Sequence, residues 1–139
     1  MIDCIDEFLE YIRKDTEEKF RPLKPDKDYT LLFRVYGKNG VLGDAEPIKK
    51  TASHELGLVV DVVAIEEEVA DGICFSVYQD VTHRHYPGRI STASNVAFAY
   101  SPKGSSIGPV YEWSIWHLLP LDDPCEPFNI EVREFPTKK

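Results

Sequence analysis

Five side chains able to do ionic or acid–base chemistry lie close together in one stretch: His83, Arg84, His85 and Arg89, followed by Lys103. Small neutral donors stand between them, namely Ser91, Thr92, Ser94 and Asn95. Arginine presents a planar fork that matches the oxygens of a carboxylate or phosphate, and hydroxyl and amide donors complete such a grip. The setting supports that chemistry. From Val81 to Tyr111 there is no Asp or Glu, in a chain of formal net charge -8, so the stretch is a neutral-to-basic island on an acidic protein. Arg84, Arg89, Ser91, Thr92, Ser94, Asn95 and Lys103 are therefore the candidate ligand-binding residues for a small anionic metabolite. The competing reading is a polar loop between two elements.

His83, His85 and His117 are the candidate acid–base residues, because only imidazole titrates near neutral pH without help from its surroundings. A His-x-His pair also suits a divalent metal, but zinc needs a third ligand. His54, His117 and Glu112 are available, and no spacing selects among them. His83, Arg84 and His85 are better read as helix C-terminal residues answering the negative end of the dipole, so no metal and no cofactor is assigned. His117 stands beside Trp113 and Trp116 and also fits a core or interface position. Neither a Gly-x-Ser-x-Gly elbow nor a Cys/His pair is present, which leaves covalent acyl transfer without a nucleophile. Gly37-Lys38-Asn39-Gly40 reads as a tight turn, with a phosphate-cradling loop as the alternative. Cys74, within an apolar helical pattern, reads as a structural thiol.

These residues must be positioned by regular elements. Ile2, Ile5, Phe8, Leu9 and Ile12 recur at helical steps and predict a helix to about Phe20, ended by Pro22 and Pro25. Tyr29–Tyr36 alternates apolar and polar residues as a half-buried strand does, and β-branched Leu56–Ala64 predicts a second strand antiparallel to it. Glu66, Glu67 and Glu68 fit the first turn of a second helix whose inward residues are Val69, Ile73, Val77 and Val81 and which stops near Gln79 to His83. Ser94–Tyr100, Pro109–Leu119 and Phe128–Arg133 predict three further strands, with a turn at LDDPCEP. The expected fold is α+β: a mostly antiparallel sheet of about five strands with two helices packed on one face, ferredoxin-like in permuted order. Residues 1–139 read as a single domain. The other sheet face, with Leu32 and Trp113 or Trp116, would meet another subunit.

Length and composition set the outer bounds. A chain of 139 residues with 42% hydrophobic and 29% charged residues is an ordinary globular protein. Its acidity, with a pI near 5.0, argues against nucleic acid and anionic membrane as partners. Three distant cysteines without Cys-x-x-Cys spacing predict neither a disulfide framework nor a zinc ribbon, and a reducing, cytoplasmic location is expected. The acidic opening MIDCIDEFLE is unlike a signal peptide, and no apolar run spans a bilayer.

Four blocks resemble one family. FRVYGKNGVLG from Phe33 to Gly43, HELG from His54 to Gly57, YPGRISTASNVAFAYSP from Tyr86 to Pro102 and GPVYEWSIWHL from Gly108 to Leu118 are similar to the C-terminal segment of AtuA-like proteins, a family named for acyclic terpene utilisation. The resemblance covers most of the chain from Tyr29 onward and is most specific in YPGR and GPVYEWSIWHL. Members are usually much longer, with a large N-terminal domain. The resemblance therefore implies an accessory or subunit domain whose larger protein partner supplies that part, binding a small carboxylate or acyl-CoA metabolite alone or with it. One departure falls at Lys103, where the family pattern has an acidic residue shortly after the Ser-Pro; it makes the corner more basic. The alternatives are a free-standing lyase, hydratase or isomerase acting on a carboxylate through the histidines, and a homo-oligomerisation module.

Overall fold

A computed structural model of the 139-residue chain describes residues 2–90, 96–115 and 117–135. They fall into two units, Met1–Pro109 and Val110–Lys139, and all regular structure lies in the first. After a single 3-10 turn at Ile2–Cys4, helix α1 spans Ile5–Lys19 and strand β1 spans Tyr29–Tyr36. A second short 3-10 turn, Gly43–Ala45, interrupts the long connection to strand β2, Gly57–Ala64, and helix α2 closes the series at Glu67–His83. The architecture is α+β.

α1 forms where the apolar spacing placed it, with Ile5, Phe8, Leu9 and Ile12 buried on one face. Thr16 continues that face; its hydroxyl is buried and donates to the Ile12 carbonyl at 2.8 Å, which satisfies it within the helix. On α2 the inward residues are Ile73 and Val77, both fully buried, with Val69 and Val81 half-buried at the ends of the same stripe. Glu67 and Glu68 sit in its first turn, where the dipole favours negative charge.

The sheet is an antiparallel pair in which Tyr29 faces Ala64 and Tyr36 faces Gly57. Tyr29, Leu31 and Val35 point into the core from β1, and Leu32, Arg34 and Tyr36 point out. The turn after β1 wraps round one oxygen: the Val35 carbonyl accepts from the amides of Lys38, Asn39 and Gly40 at 3.1, 3.0 and 2.9 Å. That wrap needs glycine twice. Gly37 has φ +88°, and a Cβ on Gly40 would lie 2.8 Å from the Tyr36 nitrogen. Because its amides are spent on Val35, the loop is a turn and not a phosphate cradle.

The expectation of five strands in a ferredoxin-like order is corrected here. The sheet has two strands, and the described parts of Ser94–Tyr100, Pro109–Leu119 and Phe128–Arg133 adopt no strand; Ser94, Asn95 and Trp116 lie outside the described residues. Alternation marks residues able to occupy a half-buried sheet, but a strand also needs a neighbour for its amides and carbonyls, and these segments have none among the described residues. The turn at Pro124–Pro127 does form, with the Phe128 amide donating to the Cys125 carbonyl at 3.0 Å.

One buried group lacks a partner. The Tyr29 hydroxyl makes no hydrogen bond among the described residues although the side chain is 3% exposed. An unmade bond costs more than the loss of the group itself. Tyr29→Phe is therefore expected to keep or raise stability, by up to about 1 kcal/mol, and urea unfolding of the two proteins checks it.

Candidate functional site

The ends of α1 and α2 are joined by a closed ring of alternating charge. Lys19 Nζ contacts Asp15 Oδ2 at 2.7 Å and Asp80 Oδ2 at 2.9 Å. Arg84 Nη2 contacts the same two carboxylates at 2.7 and 2.8 Å. Asp15 and Lys19 are one turn apart on α1; Asp80 and Arg84 are one turn apart at the end of α2. Each acid thus meets one base on its own helix and one across the interface, and Asp80 is itself buried. Burial opposes the charge on Asp15, but the Lys19 hydrogen bond and the Arg84 charge outweigh it and hold this carboxyl below its ordinary value. The hydrogen bond to Asp15 raises Lys19, with Asp80 adding to it against burial. For Arg84 too, burial is overcome by the hydrogen bond and charge of Asp80, and the guanidinium is held charged.

A cleft of about 430 Å³ opens beside the ring, lined by Glu7, Phe8 and Tyr11 of α1 and by Arg84, His85 and Tyr86 beyond α2, among others. Tyr86 is buried and meets the Phe8 ring edge-on at 5.8 Å. The Arg84 guanidinium lies 4.5 Å from the centre of the Tyr11 ring, a cation–π contact that fixes its second face. An anion entering here would compete with Asp15 and Asp80 for Arg84 and would meet Glu7. The aromatic wall suits an apolar or aromatic ligand body.

Of the residues singled out in the sequence, Arg84 and His85 come to this cleft. Arg89 instead serves the end of α2: its guanidinium donates to the carbonyls of Thr82, His83 and Arg84, three of the acceptors a helix C-terminus leaves over. Lys103 donates to the Tyr78 hydroxyl at 2.8 Å and lies 4.4 Å from the centre of the Phe98 ring, so its charge is held against α2. His83 is the exposed last residue of α2, and His117 is exposed in the second unit. Ser91, Thr92, Ser94 and Asn95 lie outside the described residues. Cys74 is half-buried, and burial, with the nearby Asp71 charge, pushes its thiol up, away from nucleophile behaviour.

Sequence reasoning missed Asp15, Lys19 and Asp80. Half of that signal was readable, since Asp15–Lys19 and Asp80–Arg84 are opposite charges at i, i+4, the first within a predicted helix and the second across the end of one. The cross-helix half was not, because it depends on how the helices dock. The family models, curated proteins and solved structures with which the chain was compared gave no match.

Two outcomes are expected. Asp80→Ala leaves the Arg84 and Lys19 charges short of one partner in a part-buried site and lowers unfolding free energy by roughly 2 kcal/mol, read by urea denaturation. The pH profile has a defined sign. Asp15 is lowered in the folded state, so its contribution is complete above the ordinary carboxylate value and is lost as pH falls through the folded one; Lys19 is raised, so its contribution is complete below the ordinary lysine value and is lost as pH rises through the folded one. Stability measured from about pH 2 to pH 11 shows both limbs, and Asp15→Asn flattens the acid limb.

Proposed function

We propose that the protein is an accessory or interaction subunit, of the kind its resemblance to the C-terminal segment of AtuA-like proteins implies, and that a larger protein partner covers the stretch Tyr111–Leu118. One observation carries this reading. Tyr111, Trp113, Ile115 and Leu118 are 90%, 83%, 75% and 97% exposed, in a unit with no buried residue among those described. A run of large apolar and aromatic side chains without a core of its own is the composition of an interface centre.

A metabolite belongs to this reading through the cleft where Arg84 and His85 meet. The ion pairs of Arg84 with Asp15 and Asp80 make its apolar and aromatic wall the main source of affinity, which favours an acyl chain over a bare carboxylate. The lyase, hydratase or isomerase reading has less support, since among the described residues His85 lines the cleft while His83 and His117 are exposed away from it.

Photo-crosslinking from p-benzoylphenylalanine at position 113, in cells of the source organism, is expected to give an adduct with a polypeptide larger than this chain. Absence of any adduct, or an adduct of only two copies, overturns the larger-partner reading. For the metabolite, acyl-CoA at a hundredfold excess over Kd is expected to raise the melting temperature by about 5 °C or more, with the shift reduced in His85→Ala. No shift at millimolar ligand removes the metabolite from the reading.

A further inference from the structure

Each strand of the pair has one outer edge: that of β1 is partly taken, by the bridge from Pro25 to Tyr29 and by the Arg13 guanidinium donating to the Leu31 carbonyl at 2.8 Å, and that of β2 is the more open. One edge of β2 pairs with β1, and among the described residues no strand pairs with the other. Its inward residues Leu58, Val60 and Val62 are only half-buried, whereas β1 supplies three buried ones. Unpaired amides and carbonyls beside half-covered apolar side chains are what an added strand satisfies. The outward face offers charges of both signs, with Arg34 Nε 2.6 Å from Asp61 Oδ2.

Phe128–Arg133 has the complementary pattern. Phe128, Ile130 and Val132 alternate with Asn129, Glu131 and Arg133. All six are exposed, and the segment pairs with no strand among the described residues. Its polar face carries a Glu131–Arg133 ion pair at 2.9 Å, the same two signs as Arg34 and Asp61.

We propose that Phe128–Arg133 of a second copy adds as a strand to the free edge of β2. In the register that sets Arg133 opposite Asp61, the apolar side chains of the added strand extend the Leu58–Val60–Val62 row over the helices. Charge on the outer face then alternates from Arg34 through Asp61 to Arg133. Each copy carries both donor segment and acceptor edge, and the proposal is the reciprocal exchange, which closes as a two-fold dimer, as against one-way addition, which chains copies into larger species. It uses neither Trp113 nor the cleft, and so stands or falls separately from the larger-partner reading.

Sedimentation equilibrium of the full chain up to about 100 μM, within the range of moderate protein–protein affinities, is expected to show a species of twice 15.9 kDa. Val132→Asp is expected to raise the dimer dissociation constant at least about tenfold, with unchanged far-ultraviolet circular dichroism because Val132 is exposed within its own chain. With the exposed Cys125 replaced by serine, oxidation of the Asp61→Cys, Arg133→Cys double variant gives a disulfide-linked dimer that neither single variant gives. A monomer at every concentration, a dimer indifferent to Val132→Asp, or a cross-link formed within one chain overturns the proposal.

Discussion

The two helices are held in register by four charges. Ile12 and Thr16 on α1 and Ile73 and Val77 on α2 are fully buried and bring the helices together, but apolar contacts alone tolerate sliding. The ring of Asp15, Lys19, Asp80 and Arg84 does not, because each carboxylate is shared between a base on its own helix and one across the gap. Its balance of two acids and two bases keeps the desolvation cost low, and the same balance makes any one member hard to lose. Arg84 carries the constraint into the segment beyond α2, and with it the position of His85 and Tyr86 in the cleft wall.

That arrangement explains why the most conspicuous basic residues are poorly placed to act as an open anion site. Arg84 is divided between two aspartates and a tyrosine ring, Arg89 is directed at backbone carbonyls, and Lys103 lies against Tyr78 and Phe98. The absence of acids from Val81 to Tyr111 is real, yet Arg84 is answered by acids from outside that stretch, and Arg89 and Lys103 by carbonyls, a hydroxyl and a ring. The apolar residues tell the complementary story. Among the described residues every buried hydrophobic one lies between Ile5 and Tyr86, while Trp113, Leu118, Ile130 and Val132 remain exposed. The chain carries apolar side chains that its own core does not use.

Local periodicity made the first half of the fold legible. Both helices and both strands lie within a few residues of where the apolar spacing puts them, because each is settled by its own amphipathic stripe and by nearby breakers such as Pro22 and Gly37. The same rule misread the second half. Phe128–Arg133 alternates as cleanly as Tyr29–Tyr36, but β1 has β2 across from it and Phe128–Arg133 has no partner strand among the described residues. For the site, the sequence located Arg84 and His85 but could not show what Arg84 binds, since Asp15 lies 69 positions away along the chain. Tyr11 and Glu7 of the cleft carried no signal of their own, lying off the apolar stripe that predicted the helix.

Arg89 has a consequence for how this chain can vary. Its side chain reaches back to the carbonyls of Thr82, His83 and Arg84, so the segment from His85 to Gly88 is a spacer cut to one length. An insertion there would carry the guanidinium away from the helix end and pull Tyr86 out from beside Phe8. The long connection from Gly37 to Leu56 has no comparable tether at its centre, and its tip residues are exposed, where added length costs little. The segment after α2 is therefore a ruler, and changes in length belong in the connection between the strands.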